Sequence, residues 1–210
     1  MPEEPFPIVR VPRSPPRAPV LVSVPHFGTE AIPGIRAEDY ANPADVSLPW
    51  GYADTFAADV YGDAHEFGAC VVATPYSRLF VDVNRRRDDF ACENEIVTSK
   101  RGVLRTHTIR DKAIFSRPLE RPRAEELLAR FYDPYHATLR RLVEEMRRRH
   151  GRVVVLDAHT GSHNRMGAHE VVVGTRQGST APRPLIERIK APVSAAGFEV
   201  HEDVPGYAGG

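Results

Sequence analysis

The sequence predicts an α/β fold, and three observations carry that expectation. Short β-branched runs, VLVSV, ACVVATP, VVVLD and EVVVGT, recur along the chain. Between them lie stretches with apolar residues at helical spacing, and strands alternating with helices build a largely parallel sheet. His26, Asn84, Arg85, Asp157 and His159 stand just past the ends of such runs, where open α/β sheets keep their ligand sites.

The elements follow in chain order. Residues 1–19 hold seven of the nineteen prolines. Proline fixes φ and lacks the backbone donor, so this stretch reads as an extended arm ahead of a domain at residues 20–210. Val20–Val24 is a buried strand ending at Pro25. Residues 32–47 are loop, punctuated by Pro33, Gly34 and Pro43. Residues 52–67 are helical, with Phe56, Val60 and Phe67 on one apolar face and Gly68 as the stop. A strand from Ala69 turns at Thr74 and Pro75, and a second, alternating strand runs through Leu79, Val81 and Val83. Residues 86–120 lack periodicity, and an excursion of that length is often a lid or binding loop. Residues 123–149 are helical, with Pro134 starting a new helix or kinking a long one. Gly151 ends it. RVVVLDAH reads as a strand buried on both faces. EVVVGT is a further strand, residues 184–197 a helix, and FEVHED the last strand.

Composition excludes several classes. The 28 basic and 28 acidic residues cancel, so no global field draws in nucleic acid or an anionic membrane. Arginine triplets at 85–87 and 147–149 carry no nucleic-acid motif. No apolar run approaches a membrane span, and the start of the chain lacks the pattern of a signal peptide. Cys70 and Cys92 stand outside any CxxC motif, so free thiols in a reducing cytoplasm are expected.

Two constellations carry chemistry. His26 and His159 are imidazoles at strand ends, and a catalytic zinc takes three protein ligands and an open position. Asp54 and Glu30 are both candidates for the third ligand. Asp157 either orients His159 or takes the proton of an attacking water. The second constellation is SRLFVDVNRRR. Guanidinium forks bind carboxylates in bidentate fashion, so Arg78, Asn84 and Arg85 suit a substrate bearing a carboxylate. Arg86 and Arg87 read as solvated surface charge. His136, in FYDPYH, is balanced between packing and reaching the site. His65, His107, His150, His163, His169 and His201 have no evident partner.

The segments VPHFGTEAIP, YADTFAADVYG, GACVVATPYSRLFVDVNRRRDD, FYDPYHATLRRL, GRVVVLDAHTGS, VVVGTRQGST and GYAGG together resemble the N-formylglutamate amidohydrolase family, in the family's order. The resemblance implies a three-layer α/β/α sandwich with a mixed, mostly parallel sheet, related to zinc carboxypeptidases. It implies zinc-dependent hydrolysis of N-formyl-L-glutamate to formate and L-glutamate in histidine breakdown. It makes His26 and His159 metal ligands and favours Asp54 over Glu30 as the third. It gives Asn84 and Arg85 the substrate's α-carboxylate and Arg78 the developing oxyanion.

Two departures matter. Thr160 stands where the family more often has Ser. Family members continue past GYAGG into a Gln-x-Glu motif whose glutamate the resemblance implies as general base, so a chain truncated at its C-terminus is expected. Three functions follow. They are the deformylase itself, another N-acyl-amino-acid or carboxypeptidase-like metallohydrolase, and a non-catalytic carboxylate-binding relative. Histidine–carboxylate sets also accept iron, cobalt or manganese. Oligomeric state is not encoded in any legible pattern.

Overall fold

The computed structural model describes residues 6–12, 18–161, 166–167 and 169–207. His163, much of the proline-rich arm and the end of GYAGG fall outside them. The chain forms two compact units, Met1–Thr160 and Gly161–Gly210.

The first unit is built on a four-stranded sheet. Its strands are β1 (Ile8–Arg10), β2 (Val20–Val24), β3 (Cys70–Ala73) and, after two short strands elsewhere, β6 (Val154–Asp157), in the order β1-β3-β2-β6. β2 runs parallel to both β3 and β6, and β1 is antiparallel to β3. Successive side chains of a strand point to opposite faces, and here both faces are covered. Leu21, Cys70 and Val72 join one apolar cluster with Leu128, Tyr135, Leu142 and Met146. Val22, Val24, Val71 and Ala73 join the other with Ala57 and Ala158. The first face is covered by α2 (Arg121–Leu127) and α3 (Asp133–His150), the second by α1 (Ala57–Tyr61). This mixed sheet between helices is the sandwich that the sequence predicted. Ile8–Arg10, inside the stretch read as an arm, supplies the antiparallel edge strand.

Several sequence expectations change. The helix over residues 52–67 is five residues of α1 between 3₁₀ segments Pro43–Tyr52 and Gly62–His65. Its apolar periodicity misled, because Phe56, Val60 and Phe67 are 68%, 61% and 86% exposed. The small Ala57, at 0%, faces the sheet and lets the short helix approach closely. The second strand predicted through Leu79, Val81 and Val83 does not form. All five residues from Leu79 to Val83 are buried, Asp82 included, so there is no two-faced alternation. Asp82 N–H donates to Val103 O at 2.8 Å instead of joining the sheet. β6 was expected to be buried on both faces, yet Val155 is 52% and Leu156 37% exposed. Among the described residues it pairs with β2 and stands last in the order β1-β3-β2-β6.

Residues 86–120 contain a hairpin of β4 (Cys92–Glu93) and β5 (Ile96–Val97). Val97, Val103, Leu104, Ile114 and Leu119 from this excursion enter the main core, which makes it a packed wall. Pro134 lies in the first turn of α3 and follows a π-helical segment, Leu128–Tyr132. Proline has no N–H for the i−4 carbonyl, and the wider π turn lies directly before it, where the helix ladder adjusts. Gly151 closes α3 with φ +70°, a left-handed cap that glycine adopts without a Cβ penalty. No disulfide joins Cys70 and Cys92.

In the second unit β7 (Val171–Val173) pairs in parallel with β8 (Val200–Glu202), connected through α4 (Arg183–Ala195). Among the described residues no helix is long and apolar enough to cross a membrane.

Candidate metal centre

Register brings the two sequence-distant imidazoles together. β2 and β6 are parallel neighbours, with Ser23 opposite Asp157. Their chains therefore leave the same end of the sheet, and the His26 and His159 rings lie 4.9 Å apart, centroid to centroid. Asp54 reaches them because its backbone N–H donates to His26 O at 2.7 Å, fixing the turn before α1. Its carboxylate is buried.

The ligating atoms of His26, Asp54 and His159 all lie within 4.8 Å of one another. His159 Nδ1 is 2.9 Å and His26 Nδ1 3.9 Å from Asp54 Oδ2. Ligands of a tetrahedral zinc at its usual bond lengths stand about 3.3 Å apart, so the group has the spacing and the donor types that could hold one ion. Glu30 is not part of the group. It is exposed, and its backbone forms a parallel bridge to Tyr76. Glu30 borders a cavity of about 200 Å³ with Ile8, Arg10 and Phe27. The intervening Gly28 sets this course, because a Cβ there would stand 2.4 Å from the Pro75 carbonyl carbon.

Each imidazole has a carboxylate on its other nitrogen, the arrangement that orients ligating histidines. His26 Nε2–H donates to Asp82 Oδ1 at 2.7 Å. Arg78 Nη1, a donor only, is 2.9 Å from His26 Nδ1, which assigns Nδ1 as the acceptor and Nε2 as the protonated nitrogen. Burial lowers the pKa of His26 and favours the neutral ring that this tautomer needs. Burial pushes Asp82 up, but the hydrogen bond from His26 and the charges around it bring its pKa below the usual value. His159 Nε2 lies 3.1 Å from Asp157 Oδ2. Burial disfavours charge on His159, yet hydrogen bonds to Asp157 and Asp54 push its pKa up to about 9. The two carboxylates that favour a proton there would favour a cation in its place.

The remaining site residues surround this group. Arg78 donates Nε–H to Tyr52 O at 2.7 Å and places Nη2 3.4 Å from Asp54 Oδ1. Asn84 Nδ2 donates to Asp157 Oδ2 at 2.9 Å. Arg85 is half-exposed, with Nε 3.9 Å from Asp82 Oδ2. Asp157 Oδ2 accepts from Asn84 and meets His159 on the nitrogen away from Asp54. His136 donates Nε2–H to Val83 O at 2.8 Å and stacks on Tyr132, whose hydroxyl donates to Arg85 O at 2.8 Å. Tyr132 at the end of the π segment and His136 in α3 thus hold both carbonyls flanking Asn84. Arg87, read as surface charge, forms a fork on Asp133 and reaches Glu125.

Sequence reasoning missed Asp82 and Arg105. Asp82 is a charged residue inside an apolar run, two residues before Asn84, and that was its available signal. Arg105 follows the buried pair Val103 and Leu104 and places Nη2 3.7 Å from Asp82 Oδ2.

Comparison with known proteins agrees with this architecture. The family described as N-formylglutamate amidohydrolase matches residues 18–210. The N-formylglutamate deformylase of Pseudomonas putida is 33% identical over 147 residues, covering 69% of this chain and 52% of that protein. The Pseudomonas aeruginosa deformylase is 31% identical over 194 residues, 86% of this chain and 68% of that one. The chain thus spans about half the length of the first relative and about two thirds of the second. The crystal structure of N-formylglutamate amidohydrolase from Ralstonia eutropha JMP134 superposes with a TM-score of 0.82 at 21% identity, over 97% of this chain and 78% of that one, and shares its fold. With the family match spanning the sheet, the imidazole pair and the guanidinium segment, the chain belongs to the N-formylglutamate amidohydrolase family.

Proposed function

We propose that this chain hydrolyses the formyl amide of N-formyl-L-glutamate, yielding formate and L-glutamate in histidine breakdown, with one zinc ion held by His26, Asp54 and His159. The observation that carries the reading is the set of two nitrogens and one carboxylate oxygen within 4.8 Å. The deformylase names of the two relatives supply the substrate. Lewis-acid polarisation of the formyl carbonyl and a water acidified towards neutrality are what a bound zinc supplies.

The chain's own groups do the rest. Arg78 lies against two of the three ligands, so its guanidinium faces the carbonyl oxygen as negative charge develops there. Arg85, half-exposed and with no carboxylate at hydrogen-bond distance among the described residues, receives the substrate's α-carboxylate. Asn84 Nδ2 donates to Asp157 Oδ2 and lies 3.1 Å from His159 Nε2, so it reaches the same carboxylate by exchanging its place against His159. Of the two duties the sequence leaves open for Asp157, orienting the His159 ring is the one favoured here, because its Oδ2 faces the ring nitrogen away from Asp54. His136 is a positioning residue for Asn84 and Arg85, since its Nε2 is committed to Val83 O.

The test combines elemental analysis of the purified chain with formate release from N-formyl-L-glutamate. About one zinc per chain and formate production that ceases on chelation and returns with zinc are expected. Protein that carries zinc but releases formate from no N-formyl amino acid would remove the hydrolase reading.

A further inference from the structure

Arg105 is a buried cation without an adequate partner. Its side chain is 11% exposed, and its nearest carboxylate oxygen is Asp82 Oδ2 at 3.7 Å, beyond hydrogen-bond distance. Its Nε is buried and has no hydrogen-bond partner among the described residues. The guanidinium lies 5.7 Å from the centroid of the Tyr52 ring, a weak cation–π placement.

Asp82 cannot satisfy it. Asp82 Oδ1 already accepts from His26 Nε2 and from the backbone N–H of Asn84. Asp82 Oδ2 is shared between Arg105 and Arg85, at 3.7 and 3.9 Å. Arg78, by contrast, is held by Tyr52 O and His26 Nδ1. Two guanidiniums within 4 Å of one carboxylate oxygen are therefore under-partnered, and near enough for one small dianion to bridge. Burying a charged donor without a partner is costly, so an occupant with a second anionic group is the physical complement.

We propose that Arg105 is a specificity-determining residue that binds the side-chain carboxylate of the substrate, while Arg85 takes the α-carboxylate. This rests on the N-formylglutamate reading and goes beyond it, by assigning the discrimination between glutamate and neutral side chains to one residue. The unequal burial of the two guanidiniums decides which discriminates. Arg85 is 55% exposed and can exchange a lost partner for water. Arg105 is held after Val103 and Leu104, both 0% exposed, and a neutral substrate would leave it unpaired in a dry position. Val103 O accepts from Asp82 N–H at 2.8 Å, so the wall bearing Arg105 is fixed to the segment bearing Asn84 and Arg85.

The test compares N-formyl-L-glutamate with N-formyl-L-glutamine, its neutral near-isostere. Binding is read by calorimetry and formate release by kcat/KM, for the wild-type chain, Arg105→Met and Arg105→Lys. The wild type is expected to favour the glutamate compound by about ten- to a hundred-fold, the scale of one charge-assisted hydrogen bond in a desolvated site. Arg105→Met brings the ratio close to one, chiefly through loss on the glutamate compound, and Arg105→Lys retains part of it. A ratio that persists in Arg105→Met, or a parallel loss on both compounds, overturns the proposal and leaves Arg105 as a support for Asp82. Formate released equally from both compounds by the wild type overturns it while the hydrolase reading stands. Preferential binding lost in Arg105→Met, with no formate from either compound, upholds Arg105 and removes the hydrolase reading. Binding of neither compound overturns both.

Discussion

His26 Nε2 and Asp82 Oδ1 lie 2.7 Å apart with both side chains buried, although 56 positions separate them in the chain. This hydrogen bond fixes the proton on Nε2 and leaves Nδ1 as the acceptor, 2.9 Å from Arg78 Nη1 and 3.9 Å from Asp54 Oδ2. Substituting Asp82→Asn removes the charge that holds that tautomer. Zinc affinity should fall by about 10- to 100-fold, the usual cost of losing such a support. Titration against a chromophoric chelator measures it, and an unchanged dissociation constant would show that the ring needs no such orientation.

The third ligand is decided by a pair of variants. Asp54→Ala should abolish stoichiometric metal, because Asp54 Oδ2 is the oxygen shared by both imidazoles. Glu30→Ala should retain it, since Glu30 stands outside the group. Metal content per folded chain is the measurement, and metal lost from Glu30→Ala instead would reverse the assignment.

Gly28 lets the chain pass the Pro75–Tyr76 backbone. A Cβ at this position would stand 2.4 to 2.5 Å from backbone atoms of both residues, which cannot swing aside as a side chain can. Gly28→Ala should destabilise the fold by about 1–3 kcal/mol, the range of overpacked sites. Urea unfolding would show it as a lowered midpoint with unchanged slope, and an unshifted midpoint would contradict the contact.

Asp203 predicts an acid-sensitive loop in the second unit. Its carboxylate accepts from the hydroxyl and N–H of Thr175 and from Gln177 N–H. The hydrogen bond from the Thr175 side chain comes first among the causes that hold its pKa below the ordinary 3.8. A carboxyl group with a depressed folded pKa stabilises above its unfolded value, and that contribution disappears as pH falls through the folded one. Amide exchange at Thr175 and Gln177 should therefore accelerate, relative to neighbouring strands, below about pH 3.8. Asp203→Asn should show faster exchange already at neutral pH and no such acid step.

How far the site could be read before folding depends on the kind of signal each residue leaves. His26 and His159 follow β-branched runs, and a strand's end is a place that local pattern can locate. Asp54 needed the resemblance, because Glu30 is equally acidic and nearer in sequence. Choosing between them depends on where Gly28 lets the chain turn. The alternation at Leu79, Val81 and Val83 pointed to a strand, while total burial of the segment gave an irregular core crossing. Phe56, Val60 and Phe67 have helical spacing, yet they face solvent because Ala57 is small enough to pack on the sheet.

By itself, then, the amino-acid order determined the α/β class, the strands that carry the histidines, the helix irregularity next to Pro134 and the glycine cap at Gly151. Those follow from side-chain periodicity and backbone restriction, which act within a few residues. Only the tertiary structure decided that Asp82 backs His26, that His136 grips Val83, that Glu30 stands apart and that Arg105 lies buried beside Asp82. Each of these pairs residues far apart in sequence, and parallel register and burial select such partners with no local trace.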